Sequence, residues 1–209
     1  MIKVIFFDLD GTLYKSTEIR QKFAEAAYYT FSKYKNTSIE NAQKLIEERR
    51  EQLGEKQGDS VPYTLTLRSF GIPIEIWHKE NIEHLDPRQH LVQDERLKKS
   101  LIELKNHYRL AILTNNNDTQ ANRVIEALGL QDIFEKVYTY NSFKILKPDQ
   151  EFFTKAVEDL EVAPEECLIV GDRYNVDLEP AKELNMRTCK VNGPEDIYQI
   201  SDLINKKFP

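Results

Sequence analysis

Val4-Ile5-Phe6-Phe7-Asp8-Leu9-Asp10-Gly11-Thr12-Leu13-Tyr14 is the stretch around which the rest of this 209-residue chain can be read. Ile2 to Phe7 is apolar but for Lys3, the pattern of a strand covered on both faces in the middle of a parallel sheet. The strand delivers two acids, Asp8 and Asp10, at its carboxyl end and breaks at Gly11. An unbroken strand would aim both carboxylates the same way. A bend near Asp10 instead lets one residue offer its side chain and the other its backbone carbonyl. Two unit charges ~4 Å apart repel by ~4 kcal/mol at an effective dielectric of ~20, and a divalent cation would turn that repulsion into binding. A turn or helix cap after a strand explains Asp-x-Asp-Gly about as well on its own. The remainder of the chain decides between the two.

Composition narrows the class. A chain of this length fits one domain with a modest insertion, and 40% hydrophobic residues support a real core. The formal net charge of -6 comes without a Lys/Arg run long enough to make a nucleic-acid stripe. No window approaches the ~20 apolar residues of a membrane span, and the amino terminus has no leader pattern. Cys167 and Cys189 read as small buried hydrophobes in a reducing compartment. A cytoplasmic protein is expected, a monomer or homodimer, with neither nucleic acid nor membrane as partner.

After Tyr14 the pattern turns helical for about seventy residues. Helices are expected over Lys15 to Tyr34 and, behind a Ser38 cap, over Ser38 to Leu53; Gly54 to Asp59 reads as a loop. Two more follow, Val61 to Phe70 and one through Trp77 to His84. A crossover between strands needs one helix, not four, so residues 15–87 read as an all-helical insertion. Residues 1–14 and 88–209 then form the core. From about Gln93 helices and strands alternate: strands Arg109 to Leu113, Phe134 to Tyr140, Cys167 to Val170 and Arg187 to Val191. Helices are expected over Asp94 to Tyr108, Asp118 to Leu128, Pro148 to Leu160, Asp177 to Leu184 and Asp196 to Lys206. This βαβα series predicts an α/β fold, a Rossmann-like three-layer parallel sheet. Ligands bind such sheets at the carboxyl ends of the strands.

Four polar groups stand there: Asp8 with Asp10, Thr114-Asn115, Lys147-Pro148-Asp149, and Gly171-Asp172 with Asp177. Each alone could be a cap or a solvated loop. Together they suit phosphoryl transfer. A carboxylate can attack phosphorus, a second acid can protonate the leaving alcohol, and a hydroxyl, an amide and an ammonium can meet the phosphoryl oxygens. A hard, oxygen-ligated cation, Mg²⁺, would bridge the acids and the phosphate.

With Asp8-Leu9-Asp10-Gly11-Thr12, Leu113-Thr114-Asn115, Lys147-Pro148-Asp149 and Gly171-Asp172 through Asp177 in this order, the chain resembles the haloacid dehalogenase-like (HAD) hydrolase superfamily over nearly its whole length. The resemblance implies a helical (C1-type) cap that closes over the active site, and a Mg²⁺-dependent phosphatase working through an aspartyl-phosphate. It implies Asp8 as nucleophile and Asp10 as general acid/base, with Thr114, Asn115 and Lys147 on the phosphate of a small phosphorylated metabolite. Asp8, Asp10 (through its carbonyl) and Asp172 would hold the metal, with Asp177 acting through water or on Lys147. Lys144 is the rival of Lys147. True dehalogenases of the superfamily lack the second acid, so Asp10 points to phosphate esters. Tyr63-Thr64-Leu65-Thr66-Leu67-Arg68 resembles the pyrimidine 5′-nucleotidase branch, which would set a nucleotide as substrate and Tyr63 or Arg68 against it. Tyr14, Phe23, Tyr28 and Trp77 are further rings able to stack on a base or sugar. A phosphomutase would share every motif, and a phospho-accepting receiver-like signalling module would share the acids, the Thr and the Lys.

Overall fold

The structure, a computed structural model, describes residues 1–57 and 61–208. The chain divides into two compact units: Met1–Lys15 with Leu91–Pro209, and Ser16–His90.

The first unit is built on five parallel strands: β1 Val4–Phe7, β2 Arg109–Leu113, β3 Lys136–Tyr138, β4 Cys167–Gly171 and β5 Arg187–Lys190. Their order is β3-β2-β1-β4-β5. The chain runs outward from β1 to β3, then returns to the other side of β1 for β4 and β5. β1 is therefore the middle strand, with Phe7 level with Ile112 of β2 and Val170 of β4. All four of its residues are fully buried, which is why none is polar. Val4 and Phe6 enter a core with Ala111, Leu113, Ile169, Phe152 and Phe153. Ile5 and Phe7, on the opposite face, are equally buried.

Short polar side chains start the helices that follow the strands. Asn117 accepts from Gln120 N ahead of helix Asp118–Ala127, and Asp149 accepts from Glu151 N ahead of helix Gln150–Asp159. Gly129, at φ +73°, lies just beyond the first of these.

Several boundaries differ from the sequence expectation. Helix Gln150–Asp159 begins after Pro148, since Asp149 is its cap. Only Lys136–Tyr138 of the expected Phe134–Tyr140 strand pairs, because Thr139 and Ser142 cap a short helix at Tyr140–Phe143. The expected helix at Asp177 is preceded by a wide π-type turn, Tyr174–Leu178, that runs into helix Glu179–Glu183. The last helix is two, Pro194–Ile197 and Ile200–Lys207.

The second unit is helical: Thr17–Lys35, Ile39–Gln57, Tyr63–Ser69 and Ile74–His84, then a short turn at Pro87–Gln89. Ser16 caps the first helix, and Ser38 Oγ accepts from Asn41 N at the start of the second. The second helix continues through Gly54 to Gln57, where the sequence pattern predicts a loop. A helical glycine costs only ~1 kcal/mol relative to alanine. The rest of that expected loop, Gly58 and Asp59, lies outside the described residues. Ala26, Ala27, Phe31, Ala42, Ile46, Leu67, Ile72 and Trp77 form this unit's own core. Trp77 donates to Thr64 Oγ1 at 2.9 Å, and Tyr63 and Tyr28 both donate to Glu47. These rings, candidates for stacking on a ligand, are thus engaged inside the unit. No helix among the described residues is long and apolar enough to cross a membrane.

Phe6→Ala, which empties the middle of the sheet, should cost about 3–5 kcal/mol of folding free energy in a urea titration of the whole chain. A loss under about 1 kcal/mol would show that β1 is not the centre of the core.

Candidate active site

The carboxyl ends of β1, β2 and β4 collect the polar residues. Asp8 leaves β1 with its N–H still donating to Val170 O of β4 at 2.9 Å, which ties the two strand ends together. The residue is only 5% exposed. The chain then turns back on itself: Gly11 N donates to Tyr14 O and Leu13 N to Leu9 O, both at 3.0 Å. Gly11 has φ +95°, and a Cβ there would lie 2.5 Å from Asp172 Oδ2. Glycine is needed both for the backbone angle and for the room.

Lys147, 2% exposed, is a buried cation at the centre of the site. Its ammonium donates to Asp8 Oδ1 at 2.7 Å, Asp177 Oδ1 at 2.6 Å and Leu113 O at 2.8 Å, which uses all three of its protons. Burial works to lower its pKa, and the charges of Asp177 and Asp8 more than reverse this, so it stays charged. Asn115 fixes the lysine's backbone from both sides. It donates through Nδ2 to Lys147 O at 2.9 Å and accepts from Lys147 N at 2.7 Å. Thr114 is buried beside it, its hydroxyl oxygen accepting from Asn116 N at 3.2 Å, which leaves the hydroxyl proton to be given elsewhere. Lys144 is exposed, in the left-handed conformation that ends helix Tyr140–Phe143, with its ammonium over the Tyr140 ring.

Asp172 directly follows β4, and Asp177 lies in the wide turn after it. Gly171 ends that strand without a side chain; a Cβ there would come within 2.6 Å of Asp177 Cβ. One oxygen each from Asp8, Asp172 and Asp177 lie within 4.8 Å of one another. Asp177 has a donor on each oxygen, Lys147 on Oδ1 and Arg173 N on Oδ2 at 3.1 Å. Asp172 Oδ1 is buried with no hydrogen-bond partner among the described residues. Burial raises the pKa of both acids, with Asp8's charge adding to it. An unpartnered buried carboxylate oxygen facing other acids is what a hard cation would satisfy.

Asp10 is held differently. Tyr14 Oη donates to its Oδ1, and Asn116 Nδ2 donates to its Oδ2 at 2.7 Å. Burial, then the charge of Asp8, pushes Asp10 up to about 6. Burial and Asp10's charge hold the Tyr14 phenol well above its ordinary value, so it remains a donor.

Three contributors are missed by the sequence reading. Tyr14 reads there as a ring able to stack, yet it bonds the acid. Asn116 lies inside a polar run that also reads as caps. Arg173 follows Asp172 directly; its Nε is buried with no partner among the described residues. Burial opposes its charge, and Asp172, Asp8, Asp177 and Asp10 outweigh that. Four acids against Lys147 and Arg173 leave a formal excess of two negative charges.

Removing the lysine tests this arrangement. Lys147→Met should cost about 3–5 kcal/mol near neutral pH in a urea titration, because two buried carboxylates lose their counter-ion. The lysine's own stabilisation is present at every pH below the ~10.4 of an unfolded lysine, and is lost only as pH rises through its higher folded value. In the variant the unpaired acids titrate higher folded than unfolded, so its deficit should shrink as pH falls. A deficit independent of pH would contradict the pairing.

Residues 2–185 match the family model for haloacid dehalogenase-like hydrolases. A glyceraldehyde 3-phosphate phosphatase of Methanocaldococcus jannaschii is 30% identical over 200 residues, 91% of this chain and 85% of that protein. Among solved structures, a HAD phosphatase of Thermococcus onnurineus superposes with a TM-score of 0.64 at 22% identity, over 97% of this chain and 98% of the other. The HAD-hydrolase YfnB of Bacillus subtilis, solved bound to magnesium, gives 0.61 at 16% identity over 96% and 99%. With the sheet, the strand-end acids and these relatives together, the chain belongs to the haloacid dehalogenase-like hydrolase family and is a phosphoric monoester hydrolase.

Proposed function

We propose that this protein is a Mg²⁺-dependent phosphatase of a small phosphorylated metabolite, acting through an aspartyl-phosphate on Asp8. The observation that carries the reading is the placement of Asp8 on Lys147 beside an acid, Asp10, whose two oxygens are held by a phenol and an amide.

In the first half-reaction an Asp8 oxygen bonds to phosphorus while the bond to the substrate's ester oxygen breaks. Asp10 gives its proton to that oxygen, which leaves as the alcohol. In the second, Asp10 takes a proton from water as the water oxygen bonds to phosphorus and the bond to Asp8 breaks. Inorganic phosphate is released and both acids are restored. The Thr114 hydroxyl and the backbone of Asn115 serve the phosphoryl oxygens, and Lys147 stabilises them through its charge. Asp177 anchors Lys147.

Mg²⁺ fits the donor set, with Asp8, Asp172 and the Asp10 carbonyl as its holders. When bound it neutralises the excess negative charge and polarises the phosphate. The Bacillus subtilis relative, solved with magnesium, supports this choice. The relatives named for glyceraldehyde 3-phosphate support a triose phosphate as the substrate class.

Phosphate release from a panel of triose phosphates, other sugar phosphates and pyrimidine 5′-nucleotides tests the reading, with and without Mg²⁺ and with no bisphosphate activator. Triose phosphates should lead, and turnover should need the metal. Asp8→Asn should remove turnover, and Asp10→Asn should lower it by about 10²–10⁴-fold. Asp8→Asn equal to wild type would end the nucleophile assignment.

The raised acids give a pH signature in metal binding. Protons held on Asp172 compete with the ion, so Mg²⁺ affinity by calorimetry should keep rising between about pH 5 and 8, past the ~4 at which an exposed carboxylate has already ionised. A flat profile over that range would remove Asp172 from the ligand set.

A further inference from the structure

We infer that Tyr14 and Asn116 are positioning residues for the reaction: together they clamp the Asp10 carboxyl in the orientation from which it delivers its proton to the leaving oxygen. The inference rests on the function proposed above and adds two residues that none of the four motif assignments contains.

The two donors come from separate parts of the sheet edge, and each is fixed by its own backbone. Tyr14 is brought back to Asp10 by the tight loop after β1, where the two residues form a bridge and Gly11 N donates to Tyr14 O. Asn116 stands at the end of β2, its N–H on Thr114 Oγ1 at 3.2 Å and its carbonyl accepting from Tyr140 N at 3.0 Å. One donor holds each oxygen of the acid. The carboxyl cannot turn about its Cβ–Cγ bond without losing both.

The chemistry of the donors matters as much as their number. Asp8 and Asp177 are held by an ammonium, which favours a permanent carboxylate. Asp10 is held by a phenol and an amide, both neutral. Each carboxyl oxygen has a second lone pair, so the clamp leaves a position for the proton that the first half-reaction transfers. A small misplacement of a proton donor is enough to lower a rate about a hundredfold. The scaffold therefore orients the acid without neutralising it.

Leaving-group dependence separates positioning of an acid from general damage. An alkyl phosphate such as glycerol phosphate needs a proton on its departing oxygen, whereas p-nitrophenolate departs without one. The value of kcat/KM reports the steps through loss of the alcohol, so it isolates the first half-reaction. Wild type, Asp10→Asn, Tyr14→Phe and Asn116→Ala should be compared with Mg²⁺ on both esters, alongside the melting temperature of each. Asp10→Asn should lose at least about tenfold more on the alkyl than on the aryl ester. Tyr14→Phe and Asn116→Ala should each show the same bias to a smaller degree, and the double variant should approach Asp10→Asn. Either single variant decides the matter if the other fails to fold. A bias in Asp10→Asn with equal losses on both esters in the clamp variants would overturn the clamp and leave the acid's role standing. Equal losses in Asp10→Asn itself would overturn both.

Discussion

One buried ammonium holds the polar edge of the sheet together. Lys147 lies almost wholly out of water, between carboxylates that come from the ends of two different strands. Burying an ion costs several kcal/mol after relaxation, and the cost is offset only when its partners are well placed. Here every proton of the ammonium has an acceptor, the third being the last carbonyl of β2. Asn115 then binds both the N–H and the carbonyl of the lysine's own peptide units, so a residue just past that strand also sets where the lysine begins. Three strand ends are locked to one nitrogen atom.

The topology supplies what this arrangement needs. The order β3-β2-β1-β4-β5 makes the chain reverse its direction of travel across the sheet at β1, and loops leaving such a point diverge and open a crevice. Asp8 stands at that reversal. Two further acids arrive from beyond β4 on one side and its lysine from the β2 side, through Asn115. A helical unit is placed in the chain directly after the loop that carries Asp10, so the first strand's loop is also the way out to residues 16–90.

Much of this was legible in the sequence because the signals are local. A fully apolar β1 can only be a middle strand, and acids, a hydroxyl and a lysine at strand ends announce ligand chemistry without any contact map. Asp94 marks a helix start by its side chain alone. What stayed hidden depends on tertiary approach. Nothing in the spacing of Tyr14 from Asp10 separates a phenol turned back to an acid from a ring packed in a core; the tight loop at Gly11 decides it. Asn116 sits in a run of three asparagines whose neighbours, Asn115 and Asn117, bind a lysine backbone and cap a helix. Only the fold tells the three apart. The break at Tyr198 and Gln199 in the last helix, and the wide turn before Glu179, carry no proline or glycine inside them to mark them in advance.

The bare end of β4 at Gly171 explains how like charges come to share one place. With no side chain in the way, Asp177 folds in against the main chain of that strand. The repelling carboxylates therefore meet through the Lys147 ammonium and through backbone contacts, the Asp8 N–H on Val170 among them, rather than through attraction of their own. An unfolded chain holds no such cluster. Any ion that recognises the assembled acids binds the native state alone, and by mass action it draws the whole population of molecules toward the folded form.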